Sequence, residues 1–350
     1  MTKGIVLAAI VTCSQAVFAQ ASNSAEMAVK SDVAPQSIEA VISWLPADTE
    51  TIVASRGPFG LNTDIPPKTN ESAISDKELT ADFEYLSLGQ FLFKDRLLAK
   101  RLEKKTVNFA VEGSRHFRPP AGLGETLYEG CSVILFTDDL RDEISSFAKD
   151  APRSALKVEE MENHQVFVFQ EKLEEDTWTT FVAFPDDHMV LLATDRHYLT
   201  EVLTRINGKI GARALPHDLP EWKYVNTQAR VWGVRHYDNS QSQFHPTSPQ
   251  GGRKSANFPD EQAIGLTFVF DPQSGRLATV TYLSRDPAIA SKPTQTPLGM
   301  ANSPEAKGLD TQYQELSPGV VQAHYSLEHR QAVQFFLFVL EATLGHAIYI

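Results

Sequence analysis

The sequence predicts an α+β fold of mostly antiparallel sheets with amphipathic helices on one face. Two observations support this expectation. Several strand-like segments are joined by short polar turns such as Pro185-Asp186-Asp187, which is typical of antiparallel meanders. In addition, the succession of a strand, a Thr-Asp or Ser cap and an amphipathic helix recurs along the chain.

This recurrence begins at residues 134–138, 191–195 and 321–326, and each copy leads into a segment with apolar residues on one helical face. The first two copies contain the caps Thr137-Asp138 and Thr194-Asp195. The pattern predicts repeated strand-strand-strand-helix units. A true duplication into two packed halves, 37–212 and 213–350, and a chance recurrence both remain open.

The remaining elements follow from apolar spacing. Ile38, Val41, Ile42 and Leu45 predict a short helix that Pro46 ends. The capping box Ser75-Asp76-Lys77-Glu78 predicts the start of a helical region that extends to Leu102. Strands are predicted over Thr51–Arg56, His164–Lys172, Trp178–Phe184, His188–Ala193, Arg230–Tyr237, Ile264–Asp271 and Arg276–Leu283.

The first residues have the features of a secretory signal peptide. Lys3 precedes an apolar run over 5–11, and small residues end at Ala19, after which we expect cleavage. Residues 20–36 are polar and predict a disordered tail, so the folded domain spans 37–350. The protein is therefore expected to be exported to the periplasm or secreted.

Composition excludes some function classes. The chain has 44 acidic and 32 basic residues and a net charge of -12, which disfavours a general nucleic-acid binder. Cys131 is the cysteine that stays after removal of the signal, so no intramolecular disulfide is expected. It opens an apolar run, which favours a buried thiol over a nucleophile.

Three further segments bear on organisation. Residues 239–262 and 287–318 carry no strand or helix signal and predict long loops. The apolar segment Ala332–Ile350 raises the question of a membrane span, but Gln334, Glu341 and His346 interrupt it. We expect a buried core helix there, and no stable membrane span after signal cleavage.

No motif predicts a catalytic, cofactor or metal site. The Gly-x-Ser-x-Gly elbow of serine hydrolases is absent, and Gly251-Gly252-Arg253-Lys254-Ser255 lacks the spacing of a phosphate-binding loop. A metal site formed by His236, Asp238 and His245 is conceivable, but a solvent-facing strand end is favoured. Candidate ligand or partner contacts are the basic segment at Arg115, His116 and Arg118, and the group of Arg235, His236, Asp238, His245 and Arg253.

The segment Ser43–Glu50, which reads Ser-Trp-Leu-Pro-Ala-Asp-Thr-Glu, resembles the opening of an uncharacterised family of exported bacterial proteins. Residues 115–131 and 246–268 are similar to that family as well. The resemblance implies export and an α+β repeat fold, and it implies no activity, ligand or catalytic residue.

The function favoured by the sequence is that of an exported, soluble, non-catalytic interaction or ligand-binding module. Its partner would be an unknown envelope protein or small ligand, with no cofactor and no nucleic acid. A periplasmic hydrolase that uses the Arg115 or His236 group and a carrier of an apolar ligand are the alternatives. A pocket of convergent polar groups would favour the hydrolase, and a large apolar cavity would favour the carrier.

Overall fold

The computed structural model describes residues 37–60, 79, 96–117, 127–150, 157–173, 176–209, 211–236, 263–271, 277–288, 311–328, 332, 333, 336 and 340. In these residues twelve strands pair into one antiparallel sheet with the order β11-β12-β10-β9-β8-β1-β2-β3-β7-β6-β5-β4. The strands are β1 Thr51–Gly60, β2 Thr106–Phe117, β3 Leu127–Phe136, β4 Lys157–Met161, β5 His164–Leu173, β6 Asp176–Ala183, β7 Met189–Ala193, β8 Val231–His236, β9 Ala263–Phe270, β10 Leu277–Ser284, β11 Thr311–Ser317 and β12 Val320–Ser326.

The helices of the described residues are few and short. Those with defined bounds are α1 Ile38–Trp44, α2 Arg96–Leu102, α3 Arg141–Asp150, α4 Arg196–Ile206 and a 3-10 helix at Pro220–Lys223, and the described positions 79, 332, 333, 336 and 340 are helical as well. The expected α+β class with helices on one face is therefore wrong, because one large antiparallel sheet dominates and helices pack on both of its faces. Apolar periodicity predicted nine of these strands locally but not β2, β4 or β11, and it could not show that all of them join a single sheet.

The sheet consists of two sets of strands, β1–β7 and β8–β12, which meet where β1 pairs with β8. Val53 lies opposite Gly233, and a Cβ atom at Gly233 would lie 2.1 Å from the Phe268 ring, so this position requires glycine. Counted outwards from the β1–β8 pairing, the two sets have the same strand order. The order is β1-β2-β3-β7-β6 in the first set and β8-β9-β10-β12-β11 in the second, and the first set continues with β5 and β4. The division into halves 37–212 and 213–350 stays a prediction, and the two sets are called the first and second half below.

The two faces of the sheet are covered differently. On the first face, α1 and α4 cover the strands of the first half through a core cluster that includes Ile42, Leu199 and Val202. On the second face, α2 and α3 cover the first half, and Phe147 is fully buried there. A third cluster covers the second half on the second face, where the helical residue Phe336 packs at 5.0 Å from the Tyr325 ring.

Helix starts test the predicted caps. The Asp195 carboxylate accepts a hydrogen bond from the Tyr198 backbone N–H at 2.8 Å, so the cap predicted for α4 is confirmed. The cap predicted for α3 at Thr137-Asp138 is wrong. That helix begins at Arg141, whose N–H donates to Asp139 at 2.8 Å, because the chain first forms a bend beyond β3.

The C-terminal segment contributes to the core, as predicted. Ala332, Val333, Phe336 and Leu340 are helical and buried. Within the described residues, no helix has both the length and the apolar character that a membrane crossing requires. The side chains of Val333, Phe336 and Leu340 belong to the cluster on the second face of the second half.

Several predictions lie outside the described residues. They are the signal peptide 1–19, the tail 20–36, the capping box at Ser75 and the loop 239–262. The expectation of a structureless 287–318 segment is wrong for its last part, since Thr311–Ser317 forms β11. The sequence holds a signal that was missed there, because Pro318-Gly319 is a turn pair directly before the apolar start of β12, and Gly319 adopts a φ of 81°.

Candidate interaction site

Arg115 lies on β2, on the first face of the sheet, and it joins several elements. Its Nε donates to Glu129 on β3 at 2.7 Å, and its Nη1 donates to Asp48 at 2.6 Å and to Glu201 on α4 at 3.3 Å. Its guanidinium also lies 5.2 Å from the centre of the Tyr198 ring. Burial alone would lower the pKa of Arg115, but the hydrogen bonds that it donates to Glu129 and Asp48 outweigh this effect and raise that pKa above its ordinary value.

The guanidinium of Arg115 is therefore engaged within the protein. Its side chain is 12% exposed, whereas that of Asp48 is 61% exposed, so the carboxylate is the group that meets solvent. Among the neighbouring candidates, the His116 side chain and all of Arg118 lie outside the described residues. A ligand contact through Arg115 stays a prediction.

An open groove of about 280 Å³ runs along α4 beside this cluster. His197 and Glu201 line one part of it, and Arg205 and Lys209 line another. His197 Nδ1 contacts the Glu201 carboxylate at 2.9 Å, and Arg205 donates to the Ala212 carbonyl at 2.7 Å. The charged side chains of the groove are thus largely held by neighbours.

His236 is paired with a residue that the sequence did not single out. Its Nδ1 lies 2.8 Å from Oε1 of Glu221, which belongs to the 3-10 helix and is fully buried. A Cβ atom at Gly265 would lie 1.9 Å from that Oε1, so glycine on β9 makes the space for the carboxylate. No short-range sequence pattern could have predicted the His236–Glu221 pair, because His236, Glu221 and Gly265 come from three separate segments.

The other members of that predicted group are only partly described. Arg235 precedes His236 on β8 and points to the opposite face of the strand, so the sheet separates their side chains. Asp238, His245 and Arg253 lie outside the described residues. Among the residues that the structure describes, no group of three potential ligands could hold a metal ion.

Polar rows cross the first face in the second half. One row runs through Thr267, Thr281, Gln322 and Gln314 on adjacent strands. Gln322 Nε2 donates to Thr281 Oγ1 at 3.1 Å. Exposure rises along the row, from buried Thr267 and Thr281 to exposed Gln314 on β11. In a second row, Val269, Thr279 and His324 are half-buried, and Gln312 on β11 is exposed.

Strand β11 ends these rows and forms one edge of the sheet. It pairs with β12 on one side, and among the described strands none pairs with its other side. Gln312, Gln314, Glu315 and Leu316 are exposed, and 38% of Leu316 is accessible. The regular pairing spans Thr311–Glu315, and the register shifts before Ser317. An edge of this kind can accept a further strand through its backbone groups.

The opposite edge, β4, is more strongly charged. Its five residues include Lys157, Glu159 and Glu160. The Lys157 Nζ lies 2.9 Å from the Glu159 carboxylate, which also pairs with Arg196 on α4. Short length and paired charges are the features that protect edge strands against added strands.

The chain matches no protein-family model, no curated protein and no solved structure. The resemblance of its Trp-Leu-Pro-Ala-Asp-Thr segment to exported bacterial proteins therefore stays a prediction. The interpretation of the site depends on its own geometry.

Proposed function

We propose that this protein is an exported, non-catalytic interaction module, and that a partner protein adds an extended segment to the β11 edge. The supporting observation is the exposed, nearly uncharged edge that β11 gives to a twelve-stranded sheet. Backbone hydrogen bonds would supply the affinity, and the alternating side chains of β11 would supply the specificity.

The contrast with β4 supports the choice of edge. Glu315 is the charged residue of β11, whereas three of the five residues of β4 are charged. A partner strand on β4 would have to be accommodated beside the ion pairs of Glu159 with Lys157 and Arg196. A partner on β11 meets Gln and Tyr side chains, which donate and accept hydrogen bonds without a change in protonation.

The internal pairing of the charged groups gives less support to a site on the first half. Arg115 is held by Glu129 and Asp48, and the groove along α4 is open and shallow. The periplasmic hydrolase and the carrier of an apolar ligand are the alternatives that an experiment has to separate from this proposal.

Site-specific photo-crosslinking in cells that export the protein tests it. Benzoylphenylalanine replaces exposed Gln314 on β11 in one variant and exposed Val158 on β4 in the matched control. We expect protein adducts several-fold more abundant at position 314 than at position 158 in the periplasmic fraction. Equal yields at the two positions, or no adduct at 314, would overturn the proposed function.

A further inference from the structure

We infer that the segment that pairs with β11 is β11 of a second copy of this chain, in antiparallel orientation about a two-fold axis. This inference rests on the proposed function, because it names the partner of the same edge. An isologous pair of this kind closes after two copies, whereas a β11-to-β4 contact would continue into an open filament.

The order of side chains along β11 suits self-pairing. When the axis passes through Tyr313, Gln312 faces Gln314 of the second copy, Tyr313 faces Tyr313, and Thr311 faces Glu315. When it passes through Gln314, Glu315 faces Tyr313. In both registers no two like charges are directly opposite, and like charges in that position would destabilise the pair.

In such a dimer, each face of one copy's sheet would continue into the same face of the other copy's sheet. Gln312 and Gln314 lie on the first face, in line with the polar rows of β12. Tyr313 lies on the second face and packs, half-buried, against the core cluster there. Pairing of two β11 strands would therefore place the amide side chains of the two copies side by side on the first face. On the second face it would bring the two Tyr313 side chains together at the edges of the two core clusters.

Repulsion between like charges disfavours β4 as the self-pairing edge. An antiparallel pair centred on β4 would place Glu159 directly opposite Glu159 of the second copy. Glu159 is moreover the partner of Lys157 and Arg196 within its own chain. The two edges of the sheet thus differ in their fitness for a second copy.

A contact limited to one strand pair buries less surface than the interfaces of stable dimers. We therefore expect association that depends on concentration. Light scattering coupled to size exclusion, or sedimentation equilibrium, from low micromolar to near-millimolar protein should show the mass doubling as concentration rises.

A charge exchange on β11 makes the test specific. The variant Gln312→Lys/Gln314→Lys places like charges opposite each other in either register, and Gln312→Glu/Gln314→Glu does the same with the opposite sign. Each variant alone should remain monomeric, and an equimolar mixture of the two should regain the doubled mass. The mixture also shows that both variants are folded. The matched control Val158→Lys/Glu160→Gln changes the net charge as much as the lysine variant and should associate like the wild type.

A wild-type chain that stays monomeric over the whole range would overturn the inference, as would lysine and glutamate variants that dimerise alone or fail to combine. If the wild type is monomeric while position 314 still crosslinks to other proteins, the second copy is the wrong partner and the proposed function stands. If position 314 gives no adduct either, both proposals fail.

Discussion

The first face of the sheet is built differently in its two halves. In the first half, α1 and α4 cover it, and side chains such as Leu199 and Tyr198 are fully buried. In the second half the same face carries Thr279 and His324, which are half-buried, and Gln312, which is exposed at the edge. Similar strand order is therefore combined with apolar packing in one half and with a polar, partly exposed surface in the other.

The strands themselves encode this difference. All five residues of β7 (Met189-Val-Leu-Leu-Ala) are buried, as expected for a strand that is covered on both faces. In β10, Ala278, Val280 and Tyr282 point to the second face, and Thr279 and Thr281 point to the first. Continuous apolar segments thus indicate coverage on both faces, and alternation indicates a strand with one polar face.

The largest expected effect comes from a matched pair of substitutions on the first face. Leu199→Ala removes a fully buried side chain of α4 itself and should lower the free energy of unfolding by about 2–5 kcal/mol. Thr279→Val removes the hydroxyl that lies 3.1 Å from His324 Nδ1 but keeps the branched shape, and should cost about 1 kcal/mol or less. Urea unfolding of both variants measures the contrast. Equal losses would show that the two halves are packed alike on this face.

The observed fold shows which features local sequence patterns predict. The α4 cap at Asp195 and the strand over Arg230–Tyr237 follow from residues that are close in sequence, and both were predicted correctly within a residue or two. The fold class was wrong because it depends on Val53 meeting Gly233, which no period along the chain reveals. The Glu221–His236 pair depends in the same way on Gly265 in a third segment.

Strand β11 was missed for a different reason. The segment 287–318 is rich in Pro, Thr and Ser, and that composition concealed the seven residues before Pro318-Gly319. Exposed edge strands bury little apolar surface, so they carry a weak hydrophobic pattern. The feature that makes β11 suitable for a partner is thus also the one that hides it in the sequence.

A smaller effect on stability is expected from the segment between α4 and β8, which connects the two halves. Arg213 in that connection donates from Nε and Nη2 to the Glu39 carboxylate of α1 at 2.6 and 3.0 Å. The hydrogen bond with Arg213 lowers the pKa of Glu39 below its ordinary value. Glu39 therefore contributes stability above its unfolded-state pKa of about 4.3, and this contribution is lost as the pH falls through the folded-state pKa.

Glu39→Gln tests this linkage. The variant should be less stable than the wild type near neutral pH, and the two unfolding midpoints should converge as the pH falls through the acidic range. Denaturant unfolding at several pH values between neutrality and the acid limit provides the measurement. A gap between the two proteins that stays constant with pH would show that the carboxylate charge has no role in tying α1 to the connection.

The smallest expected effect lies on the second face, in the row Val53, Glu112, Ser132 and Leu192 that crosses the middle of the sheet. Ser132 is fully buried, and its hydroxyl oxygen has no hydrogen-bond partner among the residues that the structure describes. A buried hydroxyl that is left unpaired costs about 1–3 kcal/mol, so its removal should recover part of this cost.

Ser132→Ala should therefore leave the free energy of unfolding unchanged or raise it by about 1 kcal/mol, because the lost packing of one oxygen atom is small beside the relieved desolvation. Ser114→Ala is the matched variant, since Ser114 on β2 is also fully buried and its hydroxyl has no partner within the described part of the chain. Chemical denaturation of both variants and the wild type under identical conditions gives the comparison. A loss of stability in both would contradict this prediction, because it would show that the two hydroxyls make favourable polar contacts in the folded protein.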